Sequence, residues 1–142
     1  MNKTLLYGAT KVDGSTAVSS LDIYQWKSRV LVIFTDTDNA RCSRQENLLL
    51  SDREGLQERD LVVLKVTQHN ADAVFGDAGP LDADRLREEL EAPEAGIFAA
   101  ILIGKDGSVK LRAVEPVACE ELFEIIDGMP MRAAETTRQQ DR

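Results

Sequence analysis

The stretch "RVLVIFTDTDNARCSRQ", Arg29 to Gln45, decides the fold. Up to Phe34 it is a nearly continuous apolar run rich in Val, Ile and Leu, the composition of a strand covered on both faces. An Asp- and Thr-rich turn follows, and a helical pattern opens near Ala40. Two more runs read as strands of the same kind, "LVVLKVT" at 61–67 and "AAILIG" at 99–104. After the third, "GKDGSVKLR" provides a tight turn at Lys105, Asp106 and Gly107, because Asp-Gly tolerates positive φ, and then a shorter strand from Val109 to Ala113. Helical patterns occupy roughly 40–58, 83–91 and 117–127, and Gly128 supplies a stop for the last.

The element order is therefore β-α-β-α-β-β-α. Two parallel strands joined by a helical crossover, then an antiparallel hairpin and a closing helix, is the thioredoxin-like arrangement: a central mixed four-stranded sheet, order 2-1-3-4, flanked by helices. "RVLVIFT" should be central, and the third strand antiparallel to both neighbours. This topology brings the start of the first helix, the end of the second strand and the start of the third strand to one end of the sheet. Cys42, the loop carrying His69, and Phe98–Ala99 all belong there.

The chain has 142 residues, 43% of them hydrophobic, enough for one core and too few for two typical domains. Residues 1–20 are expected as a flexible segment, 21–132 as the domain and 133–142 as a disordered tail. A formal net charge of -8 opposes binding to nucleic acid or to an anionic membrane surface. No apolar window approaches the ~20 residues of a membrane helix, and "TLLYGA" is too short for a signal-peptide core. The chain reads as soluble, cytoplasmic as written and exported if it has been trimmed. Two cysteines 77 positions apart and one histidine fit neither a disulfide framework nor a zinc site, so no metal and no cofactor is expected. The expected partner is an unidentified protein or small molecule.

Four blocks carry a resemblance to a known family: "LDIYQWKSRVLVIF", "RDLVVLKV", "FAAILIGKDGSVKL" and "ELFEIIDGMPMR". In this order they resemble the DUF4174 family, a thioredoxin-like domain of uncharacterised function similar to domains in vertebrate sushi-repeat extracellular proteins. The resemblance covers residues 21 to about 132. It implies the thioredoxin-like fold and carries a proposed relation to peroxiredoxins, and many bacterial members begin with an export signal. Fold does not bring activity with it.

Activity turns on Cys42. A thioredoxin-like C-x-x-C would fall on Asn39 to Cys42, so the attacking position is Asn39 and only the resolving position is a thiol. The proline that such proteins place before the third strand would stand at Ala99, where a trans Phe98–Ala99 peptide is expected. General disulfide reduction is disfavoured. A one-cysteine peroxidase would use a thiolate at the helix N-terminus, supported by Arg41 and Arg44 and opposed by Asp36 and Asp38, with His69 as base. Against it stands the seven-residue recurrence of Cys42, Leu49 and Leu56, which puts the sulfur on the inward face among Val32 and Leu49, as a small hydrophobe with a raised pKa. Two readings follow. The first is a binding or accessory module without dithiol chemistry, and the alternative is a thiol oxidoreductase acting through Cys42, His69 and Arg41.

The remaining features have structural readings. Cys119 lies on the inward face of the last helix with Leu122, Phe123 and Ile126, and a Cys42–Cys119 disulfide stays open. Trp26 is expected to pack at the rim of the first strand. "ADRLREEL" reads as a solvated face with i,i+4 pairing. In "DGMPMR", Pro130 is expected to prevent the helix from resuming, and the segment to lock the "GKDG" hairpin or dock a partner at the sheet end opposite Cys42.

Overall fold

The computed structural model describes residues 3–4, 10–11, 19–132 and 134–135. Its strands are β1 (Lys3–Thr4), β2 (Thr10–Lys11), β3 (Arg29–Phe34), β4 (Leu61–Val66), β5 (Ala71–Phe75), β6 (Ala99–Ile103) and β7 (Val109–Ala113). Its helices are α1 (Ala40–Leu50), α2 (Arg53–Glu58), α3 (Ala83–Glu89) and α4 (Cys119–Asp127), with a 3-10 turn over Ser19–Tyr24. The sheet runs β1-β2-β7-β6-β3-β4-β5. β3 is parallel to β4 and antiparallel to β6, which is antiparallel to β7. The four expected strands thus keep their order, with β3 central.

The strand count is corrected. β5 extends the sheet antiparallel to β4, and β1 and β2 extend it beyond β7. Parts of the N-terminal twenty residues are therefore strands; the rest of residues 1–18, and 136–142, lie outside the described residues. The fold also continues past the expected boundary at Arg132, since Glu135 is helical and buried. The helix expected over 40–58 is two helices. Asp52 interrupts it because its side chain accepts the Gly55 N–H and caps α2.

β3 is buried along its whole length because both faces are covered. Leu31 and Ile33 face a core completed by Cys42, Leu49, Leu56, Leu122, Phe123 and Ile126, while Val30, Val32 and Phe34 face one completed by Leu86 and Leu90. Helices α1, α2 and α4 thus lie on one face and α3 on the other. Buried Gln45 ties α1 to the approach of α4, its amide nitrogen donating to the Val117 carbonyl at 2.9 Å and its oxygen accepting the Val117 N–H at 2.8 Å. In the β6–β7 turn Gly107 adopts φ 86, and Asp106 Oδ1 accepts both the N–H and the hydroxyl of Ser108.

Two local expectations fail. Trp26 does not pack at the rim: it is 64% exposed, with left-handed backbone (φ 68) and its backbone N–H donated to the Lys105 carbonyl. Pro130 does not keep the helix from resuming; residues 130–132 are helical again. Proline's fixed φ and missing N–H suit a first helical position. No helix among the described residues is long and apolar enough to cross a membrane.

Candidate functional site

Phe34 pairs with Val66 on one side and Ala99 on the other, so the chain leaving β3 and β4 and entering β6 meets at one end of the sheet. Cys42 sits there in the first turn of α1. Its residue is completely buried, on the face of Leu31 and Ile33 rather than Val32 as expected from the sequence, because Val32 belongs to the opposite core. Asn39 precedes the helix in left-handed conformation (φ 60) and makes no side-chain cap; the aspartates do. Asp36 Oδ2 accepts the Arg41 N–H at 3.0 Å, Asp36 Oδ1 the Cys42 N–H at 3.2 Å, and Asp38 the Ala40 N–H at 3.2 Å.

These bonds decide the electrostatics. The N–H groups that would stabilise a thiolate already face carboxylates. Burial raises the pKa of Asp36, but the Arg41 and Cys42 N–H groups outweigh it and hold this carboxyl below its ordinary value. The Cys42 sulfur lies 3.9 Å from Glu46 Oε2, and Glu46 is 3.7 Å from Lys65 Nζ. Desolvation first, then the charge of Glu46, pushes the thiol up to about 11, despite Lys65.

The residues expected to assist Cys42 do not converge on it. The Arg41 side chain turns outward to Glu115, Nε to Oε2 at 2.9 Å. His69 is exposed on the turn after β4, and among the described residues no hydrogen bond or ion pair joins it to Cys42 or Arg41. Cys119 is half-buried, its sulfur 3.0 Å from the Leu48 carbonyl, and both cysteines are free thiols. Every peptide bond among the described residues is trans, Phe98–Ala99 included.

Two concavities lie at opposite ends of the sheet. A polar cleft of about 300 Å³ at the Cys42 end is lined by Thr35, Asp36, Thr37, Gln68, Arg87, Ala95 and Gly96. Gly96 has φ 91 and adjoins Thr37, whose hydroxyl a Cβ at this position would strike. At the other end a cleft of about 420 Å³ is lined by Arg29, Lys105, Lys110, Ile125, Met129 and Met131, among others. Its cations are paired. Glu135 lies 3.2 Å from Arg29 and 2.8 Å from Lys105, Asp60 2.7 Å from Lys105, and Asp106 2.9 Å from Lys110. The "DGMPMR" and "GKDG" segments do meet here. Sequence reading missed Arg29, Glu135 and Arg87 as participants, and only Arg87 had a local signal: an arginine on a helix whose neighbours Leu86 and Leu90 are core residues.

The sheet order, the crossover helices and the capped α1 define a thioredoxin-like protein. A solved structure described as the reduced 2-Cys peroxiredoxin of Plasmodium vivax is similar, with a TM-score of 0.57 at 17% identity, covering 82% of this chain and 84% of that one. At that identity the likeness concerns the fold alone. The chain belongs to the family described as a domain of unknown function, DUF4174, which matches residues 20–135. No curated protein matches it.

Proposed function

We propose that this domain is a thioredoxin-like binding or accessory module that works without dithiol chemistry. The observation that carries this reading is the state of Cys42: a sulfur removed from solvent, beside Glu46, at a helix terminus whose donors are spent on Asp36. A thiol held at about 11 is almost wholly protonated at neutral pH, and the thiolate is the nucleophile. The position where a dithiol protein would attack is Asn39.

The alternative, a thiol oxidoreductase or one-cysteine peroxidase at Cys42, draws support from the likeness to a peroxiredoxin and from the place of the thiol in the first turn of α1. It needs a base and a cation at the sulfur. His69 and Arg41, its candidates, lie on the exposed surface, with Arg41 engaged by Glu115. Peroxide consumption with dithiothreitol as reductant separates the two. We expect the wild type and Cys42→Ser to match the protein-free rate; turnover in the wild type that is lost in Cys42→Ser would establish the alternative.

A further inference from the structure

We propose that the polar cleft at the Cys42 end binds a small, singly charged carboxylate carrying a further hydrogen-bonding group, with Arg87 as the residue that receives the carboxylate. This rests on the reading of the domain as a binding module and names the ligand class of its site.

The location follows from topology. β3 and β4 are parallel and end side by side, and the chain leaves β3 toward α1 on one face and leaves β4, by way of β5, toward α3 on the other. A crevice opens where such connections part, outside the carboxyl ends of the strands, and this is where open α/β sheets bind ligands. Thr35–Thr37 after β3 and Gln68 after β4 line it.

The chemistry follows from Arg87. Its Nη2 donates to the Thr67 carbonyl at 3.1 Å, and its guanidinium carbon lies 5.3 Å from the centre of the buried Phe34 ring, so the group is held rather than free to sweep through solvent. It makes no ion pair among the described residues, and since its Nε is shut off from solvent without an acceptor, the terminal nitrogens are the ones that can meet a ligand. A guanidinium has five N–H donors, and one is used. Arg29 also has a buried Nε without an acceptor, but its other nitrogens hold Glu135; Arg87 has no such carboxylate. In a chain of net charge -8, a fixed guanidinium that lines a cleft and makes no ion pair there is an unused carboxylate receptor.

The charge and size of the ligand are bounded by the same residues. Asp36 shares the cleft, with its oxygens committed to the Arg41 and Cys42 N–H groups, so it makes no ion pair with Arg87, and its own negative charge opposes further negative charge on a ligand. A dianion such as phosphate would meet about twice the repulsion that a carboxylate does, and a carboxylate also offers a planar pair of oxygens that fits the guanidinium fork. The Thr35 and Thr37 hydroxyls and the Gln68 amide can engage a neighbouring hydroxyl or carbonyl, and about 300 Å³ suits a molecule of few heavy atoms.

The experiment is a titration of the full chain with sodium lactate, followed by NMR. We expect saturable shifts confined to the amides of Thr37, Gln68 and Gly96 and to the Arg87 side-chain Nε–H, with a dissociation constant raised at least about tenfold in Arg87→Lys, which keeps the charge and removes the fork. Inorganic phosphate should bind more weakly than lactate. Absence of saturable shifts in the wild type, equal binding by Arg87→Lys, or tighter binding of phosphate would each overturn the proposal. Should Arg87→Lys not fold, the Nε–H shift in the wild type decides alone. None of these outcomes bears on thiol reactivity, so failure here is distinguishable from failure of the non-redox reading.

Discussion

The clefts at the two ends of the sheet use their charged side chains differently. At the β6–β7 hairpin end, Arg29, Lys105, Lys110, Arg59 and Arg132 each meet a carboxylate, the last two through Asp127 at 2.9 and 3.2 Å. In the cleft at the Cys42 end, Asp36 spends its oxygens on backbone N–H groups, and Arg87 makes no ion pair among the described residues. The larger and more basic cleft is thus a closed ionic lock, and the smaller one holds the unspent charge. Cation content alone does not mark a binding site. What marks the proposed site is a cation that folding has fixed and left without an ion-pair partner among the described residues.

The hardest test of the lock is Glu135→Gln. It leaves Arg29 and Lys105 buried without their shared carboxylate, and breaking such a pair from one side costs about 3–5 kcal/mol in urea unfolding; a loss below about 1 kcal/mol would dissolve the contrast between the ends. Acid should do the same gradually. Burial raises the pKa values of Glu135 and Asp127, but Lys105 with Arg29, and Arg59 with Arg132, outweigh it and hold both below their ordinary values. Their folded-state values being depressed, the stability they contribute is fully present above the ordinary carboxylate range of about 4 and is lost as pH falls through the folded values below it. Stability that rises on acidification through that range would contradict the sign.

Smaller effects sharpen the Cys42 end. Cys42→Ser places a hydroxyl in an apolar core and should cost about 1–3 kcal/mol in thermal or urea unfolding. Asp36→Asn weakens the cap of α1 and should cost about 1 kcal/mol. It also removes a negative charge that raises the Cys42 pKa, so cysteine alkylation in this variant should quicken, and an unchanged rate would separate the cap from the thiol. Arg41→Ala and His69→Ala, at exposed positions, should leave both stability and alkylation where they were.

Much of this was legible in the sequence, and the exceptions share a cause. Doubly buried strands announce themselves by unbroken apolar runs, so the order β4-β3-β6-β7 and the inward register of Cys42 could be read directly. β5 could not, because "ADAVF" is short, half-exposed and interrupted by Asp72, and exists by pairing with β4. The break at Asp52 was masked because the spacing of Cys42, Leu49 and Leu56 runs across it. Val32 was assigned to the wrong side of β3, an error of one residue in a period of two. Glu135 and Arg29 are 106 positions apart, and no local pattern joins them. Arg87 sits in "ADRLREEL", where Arg85 and Glu89 do form the expected exposed i,i+4 pair at 3.2 Å. Its own side chain turns the other way.

The central claim is that Cys42 is a core residue and not a nucleophile, and its most direct test is the pH dependence of iodoacetamide labelling at Cys42 in the Cys119→Ser background, read by peptide mass spectrometry. The account predicts labelling slower than that of a free cysteine at neutral pH and still rising with pH toward about 11. A rate that exceeds that of free cysteine at pH 7 and levels off below a pH of about 7 would mean a stabilised, accessible thiolate, and would contradict it.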